Sequence, residues 1–197
     1  MNMNPLDNLN KYDIILASGS PRRRELLGLL DIPFRVDTSH PVDESVPEGM
    51  EPELVPAHLS TVKAMAFPIE SGDNPLVITA DTVVILDGEV LGKPADESAA
   101  CSMLAMLAGK TQKVVTGVTI RTRHHTETWS CESEVEFSPL SQEEIEYYVK
   151  KYRPLDKAGA YGIQEWIGAA AIKEIRGSFY NVMGLPVHRL YRALKDL

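Results

Sequence analysis

The chain is short of cysteine, of long apolar runs and of positive charge, and each shortage removes a class of protein. Only two cysteines, Cys101 and Cys131, occur in 197 residues. They have neither metal-ligand spacing nor a disulfide framework around them, which excludes a cystine-stapled domain and reads as two reduced thiols in a cytosolic protein. No apolar run reaches the length needed to cross a bilayer, and Met1 to Asp13 are polar with no apolar h-region; the expectation is a soluble, cytoplasmic chain that does not engage membranes. Lys and Arg total 20 against 28 Asp and Glu, a formal net charge of -8. That balance excludes the broad basic face of a nucleic-acid binder, so any anionic ligand has to be held by cations gathered locally. No internal repeat, low-complexity tract or linker interrupts the sequence, and 44% hydrophobic content supplies the core of one domain over residues 1–197, with 1–10 as a polar N-terminal extension.

Against this acidic background, Ala17-Ser18-Gly19-Ser20-Pro21-Arg22-Arg23-Arg24 stands out. Ile14 to Leu16 read as a buried strand, Ser18 to Ser20 as a tight turn, Ser20 as an N-cap and Pro21 as the first residue of a helix. Unpaired N–H groups and the helix dipole already make such an end positive. Three arginines there cost about 0.3–1 kcal/mol each unless an anion offsets them.

Further along, Phe34 to Asp37 read as a short strand followed by a loop carrying Asp43 and Glu44. Residues 52–67 have helical spacing, with Leu54, His58, Leu59, Val62 and Met65 as the buried stripe and Lys63 on its flank. Val77 to Leu86 and Glu89 to Leu91 form a hairpin across Asp87-Gly88, a type I′ pair. Simple pairing then opposes residues whose numbers sum to 175, which sets Thr82 across from Lys93 and brings Asp81 near the same lysine at a strand end. Asp96 caps a helix through Leu107 that stops at Gly109, and Val114–Ile120 pairs with Thr128–Phe137 around a polar tip containing His124 and His125. The capping box Ser141/Glu144 starts a helix that Pro154 ends. Leu155 to Gly168 are rich in glycine and alanine, Ile172 to Ile175 read as a strand, and Val187 to Leu197 as the closing helix.

Phosphoryl transfer needs charge neutralisation and an aligned water more than covalent chemistry. Arg22, Arg23, Lys63, Lys93 and Lys157 are candidates for phosphate oxygens, and Glu44 and Asp81 for a hard divalent cation or a base. Taken singly, each lysine reads as surface, Asp43-Glu44 as an acidic loop, and an Asp81–Lys93 pair as a structural ion pair as readily as a site. Around Gln164, Asp156 to Ile163 combine small residues with an amide suited to a nucleobase edge, or pack as a tight turn.

Six segments in this order resemble the Maf family of nucleoside triphosphate pyrophosphatases: Ala17–Leu26, Val42–Glu44, Val62–Ala64, Thr79–Pro94, Leu155–Gln164 and Gly177–Pro186. The resemblance implies an α/β fold with a mixed twisted sheet, flanking helices and two lobes around a central cleft, as in inosine-triphosphatase-like proteins. It also implies frequent dimers and hydrolysis of a nucleoside triphosphate to monophosphate and pyrophosphate with Mg²⁺ or Mn²⁺. In the roles it implies, Asp81 and Lys93 are catalytic, Ser18, Arg22, Arg23, Lys63 and Lys93 handle phosphate, and Glu44 and Asp81 hold metal. Arg22, Thr82 and Gln164 match the branch that acts on dTTP and UTP, whereas the 7-methyl-GTP branch tends to Trp, Gln and Glu there; Glu165 and Trp166 depart from the usual smaller residues. Two other readings compete: a non-catalytic nucleotide-binding regulator of cell division, which the retained Glu44 and Asp81 disfavour, and a purine-selective triphosphate pyrophosphatase, which Thr82 and Gln164 disfavour.

Overall fold

A computed structural model describes residues 5–70 and 74–197. It is a mixed α/β protein. The strands are β1 (Asp13–Leu16), β2 (Arg35–Val36), β3 (Pro75–Leu86), β4 (Glu89–Leu91), β5 (Thr111–Arg121), β6 (Thr126–Phe137) and β7 (Ile172–Arg176). The helices are α1 (Pro21–Gly28), α2 (Val55–Ala66), α3 (Glu97–Leu107), α4 (Gln142–Tyr152), α5 (Trp166–Ala171), α6 (Phe179–Met183) and α7 (Val187–Lys195). One sheet runs in the order β2-β1-β3-β5-β6-β7, with β4 also paired to β3. The chain divides into two compact units, one of Met1–Asp81, Thr116–Cys131 and Gly184–Leu197, the other of Thr82–Val115 and Glu132–Met183. The long strands β3, β5 and β6 each contribute to both. No helix among the described residues is long and apolar enough to cross a membrane, and Cys101 and Cys131 are unbridged.

In the first unit β1 lies parallel to β2 and to the start of β3, with Ile15 opposite Val77 and Leu16 opposite Ile78. Ile15, Val77 and Phe67 form one apolar cluster with Ala17 against it. Burial on both sides is why Ile14 to Leu16 read as a continuous apolar run. The stripe of α2 differs from the expected one: Leu54 and Met65 are exposed, while Val55, Leu59, Ser60 and Ala64 are buried. The first turn of the helix approaches the sheet backbone closely. A Cβ on Gly117 would lie 2.3 Å from Ala57 N and from the Pro56 carbonyl carbon. Ser60 Oγ and Thr119 Oγ1 share a hydrogen bond of 3.0 Å, and Thr79 Oγ1 donates to the Ser60 carbonyl at 2.7 Å. At the far end, Arg121 Nη1 donates to the carbonyls of Ala64 at 2.7 Å and Phe67 at 2.8 Å. The guanidinium thereby satisfies acceptors left open where α2 stops.

The stretch read as a polar extension is part of this unit from residue 5 onward; residues 1–4 lie outside the described ones. Asp7–Lys11 make a 3₁₀ turn that buries Leu9, Leu6 is buried beside it, and Asn8 Nδ2 donates to the Leu194 carbonyl at 2.9 Å.

In the second unit, Asp87 and Gly88 both have positive φ, 52° and 84°, the type I′ geometry their sequence requests. Pairing follows the sum of 175, Val84 opposite Leu91 and Ile85 opposite Val90. The ladder ends there. Asp96 accepts from Ala99 N to cap α3, and both bonds of the Ser141/Glu144 capping box form at α4. Two short helices, α5 and α6, escape the sequence reading because 6 and 5 residues give no periodicity to detect. Asn181, buried on α6, donates to the Val114 carbonyl at 3.1 Å and to Ser133 Oγ at 3.0 Å.

Candidate active site

The first unit gathers six of the expected site residues. α1 begins as its sequence dictates, with Ser20 Oγ accepting from Arg23 N at 3.4 Å and Pro21 in the first turn, which has no acidic residue. Ser18 Oγ, in the preceding turn, accepts from Ser20 N at 3.3 Å. Arg23 turns inward: Nε donates to the Gly184 carbonyl at 2.9 Å and Nη1 to Ser18 Oγ at 3.4 Å. Burial pushes its guanidinium below the ordinary arginine value, the carboxylate of Asp81 pushes it back up, neighbouring Arg22 lowers it, and Glu44 raises it. An arginine remains charged through any such shift. Arg22 is half-buried and Arg24 exposed, so the three arginines part company.

Asp81 meets Lys63. The Lys63 Nζ, in the last turn of α2, lies 2.7 Å from Asp81 Oδ1 and 3.1 Å from Glu44 Oε2. Asp81 and Lys63 are well covered, with side chains 14% and 18% exposed, whereas Glu44 on its loop is 57% exposed. The expectation for Asp81 is corrected on two points. It sits within β3 rather than at the strand's end, after the parallel register with β1 has finished at Ile78. Its ion-pair partner is Lys63, which the sequence reading named for the same site without pairing the two.

The second unit holds Thr82, Lys93 and Gln164. Thr82 and Lys93 are not ladder partners, because β4 stops at Leu91 and the next carbonyl, of Gly92, accepts from Gly159 N at 3.1 Å. Lys93 and Gln164 are exposed and Thr82 is half-buried. Lys157 does not behave as a free phosphate ligand: it is 8% exposed, and its Nζ lies 2.7 Å from Asp156 Oδ1 and 3.2 Å from Glu165 Oε1. Glu165 Oε2 in turn accepts a short hydrogen bond from the Tyr148 hydroxyl. Glu165 and Tyr148 are absent from the sequence-derived site. The one signal for Glu165 is its departure from the family pattern, and the sequence reading holds no signal for Tyr148.

Glu44 and Asp81 test the fit of a divalent cation. Among the described residues no group of three or more His, Cys, Asp or Glu could hold a metal. Two carboxylates converging on one ammonium suit instead a cation of the Mg²⁺ type, which keeps waters and takes one or two carboxylates plus substrate phosphates. Arg22, Arg23 and Lys63 outnumber the two carboxylates, and the positive end of α1 adds to them. The unit thus has the strand–loop–helix junction and local cations that suit a polyanion.

The comparisons with known proteins narrow that reading. The family model described as Maf-like protein matches residues 13–197, and the chain belongs to that family. A Porphyromonas gingivalis protein named dTTP/UTP pyrophosphatase is 56% identical over 193 residues, covering 97% of each chain. Proteins of the same name from Bacteroides thetaiotaomicron and Phocaeicola vulgatus are 51% and 50% identical, each covering 98% of this chain and 100% of the relative.

Proposed function

We propose that the protein is a nucleoside triphosphate pyrophosphatase that hydrolyses dTTP and UTP to the monophosphate and pyrophosphate. It is a hydrolase of phosphoanhydride bonds. The observation that carries this reading is near-complete coverage by relatives of that name, joined to an Asp81–Lys63 pair in the same unit as the arginine-bearing start of α1.

In this reading Ser18, the N-terminal amides of α1, Arg22 and Arg23 hold phosphate oxygens, with Arg23 prealigned by Gly184 and Ser18. Preorganised donors of this kind stabilise developing charge without reorganising as the reaction proceeds. Asp81 receives the proton of the attacking water as that oxygen bonds to the α-phosphorus. The bond from the α-phosphorus to the bridging oxygen breaks, and pyrophosphate leaves. Lys63 and Lys93 offset the negative charge on the phosphoryl oxygens. Glu44 and Asp81 would hold a divalent cation, Mg²⁺ or Mn²⁺, which supplies further charge neutralisation when bound. Arg22, Thr82 and Gln164 set base preference; a neutral Gln amide both donates to and accepts from the O4 and N3–H edge of uracil or thymine. Cytoplasmic pools of these nucleotides are the substrate source, and a homodimer is the proposed assembly, to be checked by sedimentation.

The test is product analysis. Purified protein with Mg²⁺ or Mn²⁺ releases pyrophosphate and dTMP or UMP from dTTP or UTP, ahead of purine triphosphates. Release of orthophosphate, or binding without turnover, overturns the reading.

A further inference from the structure

The second unit holds a hydrogen-bonded brace that the proposed chemistry does not use. Gly162 to Glu165 form a tight turn closed by Glu165 N donating to the Gly162 carbonyl at 3.0 Å, and Gln164 is its third residue. Both ends of this turn meet one phenol. Gly162 N donates to the Tyr148 hydroxyl at 3.0 Å, and that hydroxyl donates to Glu165 Oε2. Lys157 Nζ holds the other carboxylate oxygen at 3.2 Å. Tyr148 itself is fully buried on α4 and stacked on Tyr152, with ring centroids 5.1 Å apart. The turn has little room to relax elsewhere: a Cβ on Gly162 would come within 2.8 Å of Glu165 Cδ, and one on Gly168 within 1.7 Å of the Ile163 carbonyl oxygen.

Gln164 is exposed and lies between Gly162 and Glu165, both bonded to Tyr148. We propose that Tyr148 and Glu165 are positioning residues for base selection, fixing the Gly162–Glu165 turn so that the Gln164 side chain springs from one backbone position. This inference rests on the reading of Gln164 as the base-selecting residue. A discriminating residue is best carried on a fixed backbone, because a mobile turn adds its own ordering cost to each binding event. Glu165 and Tyr148 hold the turn by hydrogen bonds that a hydrophobic core cannot replace with the same directionality.

The experiment compares wild type, Gln164→Ala, Tyr148→Phe, Glu165→Ala and Glu165→Gln in steady-state hydrolysis of dTTP, UTP and GTP, with thermal melts as the fold control. Tyr148→Phe keeps the ring and removes the two hydrogen bonds that tie the phenol to the turn, leaving the turn's own closing bond in place. It is expected to raise KM for dTTP and UTP roughly ten-fold with kcat little changed, and to lower their kcat/KM advantage over GTP by a similar factor. Glu165→Ala should do the same, while Glu165→Gln, which retains an acceptor for the phenol, should recover most of the loss. Should Tyr148→Phe fail to fold, the two Glu165 variants carry the comparison. Loss of kcat on all three substrates alike, or an unchanged pyrimidine advantage in folded Tyr148→Phe and Glu165→Ala beside its loss in Gln164→Ala, overturns the brace. An unchanged advantage in Gln164→Ala overturns the base-selecting role beneath it.

Discussion

Lys63 and Asp81 are 18 positions apart in sequence and 2.7 Å apart in space, a pair that ties α2 to β3 within the first unit. α2 delivers the amine from its last turn, and Arg121 fixes that end of the helix through the Ala64 and Phe67 carbonyls. β3 delivers the acid. Lys63 is shared between Asp81 and Glu44.

Asp81→Asn keeps the shape and removes the proton acceptor. Pyrophosphate release from dTTP is expected to fall at least about a hundred-fold, with the thermal melt within a few degrees of wild type. A continuous pyrophosphate assay decides it; near-normal kcat in the folded variant removes Asp81 from the mechanism.

Arg23→Lys preserves charge but loses the fork that reaches Gly184 and Ser18 together. KM for dTTP should rise about ten-fold, since a flexible ammonium reproduces neither bond geometry. The check is a KM series in which Arg24→Lys, on the exposed neighbour, stays at the wild-type value.

Chelation should silence the enzyme without unfolding it. Among the described residues no cluster could cage a metal, so the cation is expected to be held largely with the nucleotide. EDTA should stop turnover, added Mg²⁺ or Mn²⁺ should restore it, and the melting temperature without nucleotide should not move. A melt that drops on chelation alone would point to a structural metal.

Gly117→Ala tests the approach of α2 to the sheet. Its new Cβ meets backbone at 2.3 Å, which no side-chain rotation relieves. A loss of about 1–3 kcal/mol is expected in urea unfolding, from overpacking.

Alkaline stability reports on two phenols. Burial and the carboxylate of Glu165 push the Tyr148 hydroxyl far above its ordinary value of 10.0, and burial likewise pushes Tyr161 up. Because the folded state favours the neutral phenol, this contribution is whole below about pH 10 and is lost as pH rises toward the folded values. Tyr148→Phe should flatten the alkaline limb of a stability–pH curve. An alkaline limb of unchanged slope would mean that Tyr148 titrates normally.

The family relationship makes the motifs familiar, yet the local rules alone account for much of the fold. Ser20 and Asp96 cap their helices, Ser141 and Glu144 close their box, and Asp87-Gly88 turns the hairpin in the predicted register. Each of these depends on bonds or torsions within a few residues, where side-chain chemistry and backbone preference act without help. Beyond that range the sequence offered only candidates.

Which lysine meets Asp81, that Lys157 is consumed by Asp156 and Glu165, and that Arg23 anchors on Gly184 across 161 positions were decided by tertiary packing. Register extended past Leu91 pointed to Lys93 because pairing rules carry no information on where a ladder stops. That end is set by the Gly92 carbonyl finding Gly159, far along the chain. Local sequence determined the helix caps and the turn that set up this protein; the pairing of its charges followed from which backbones pack closely enough to bring distant side chains together.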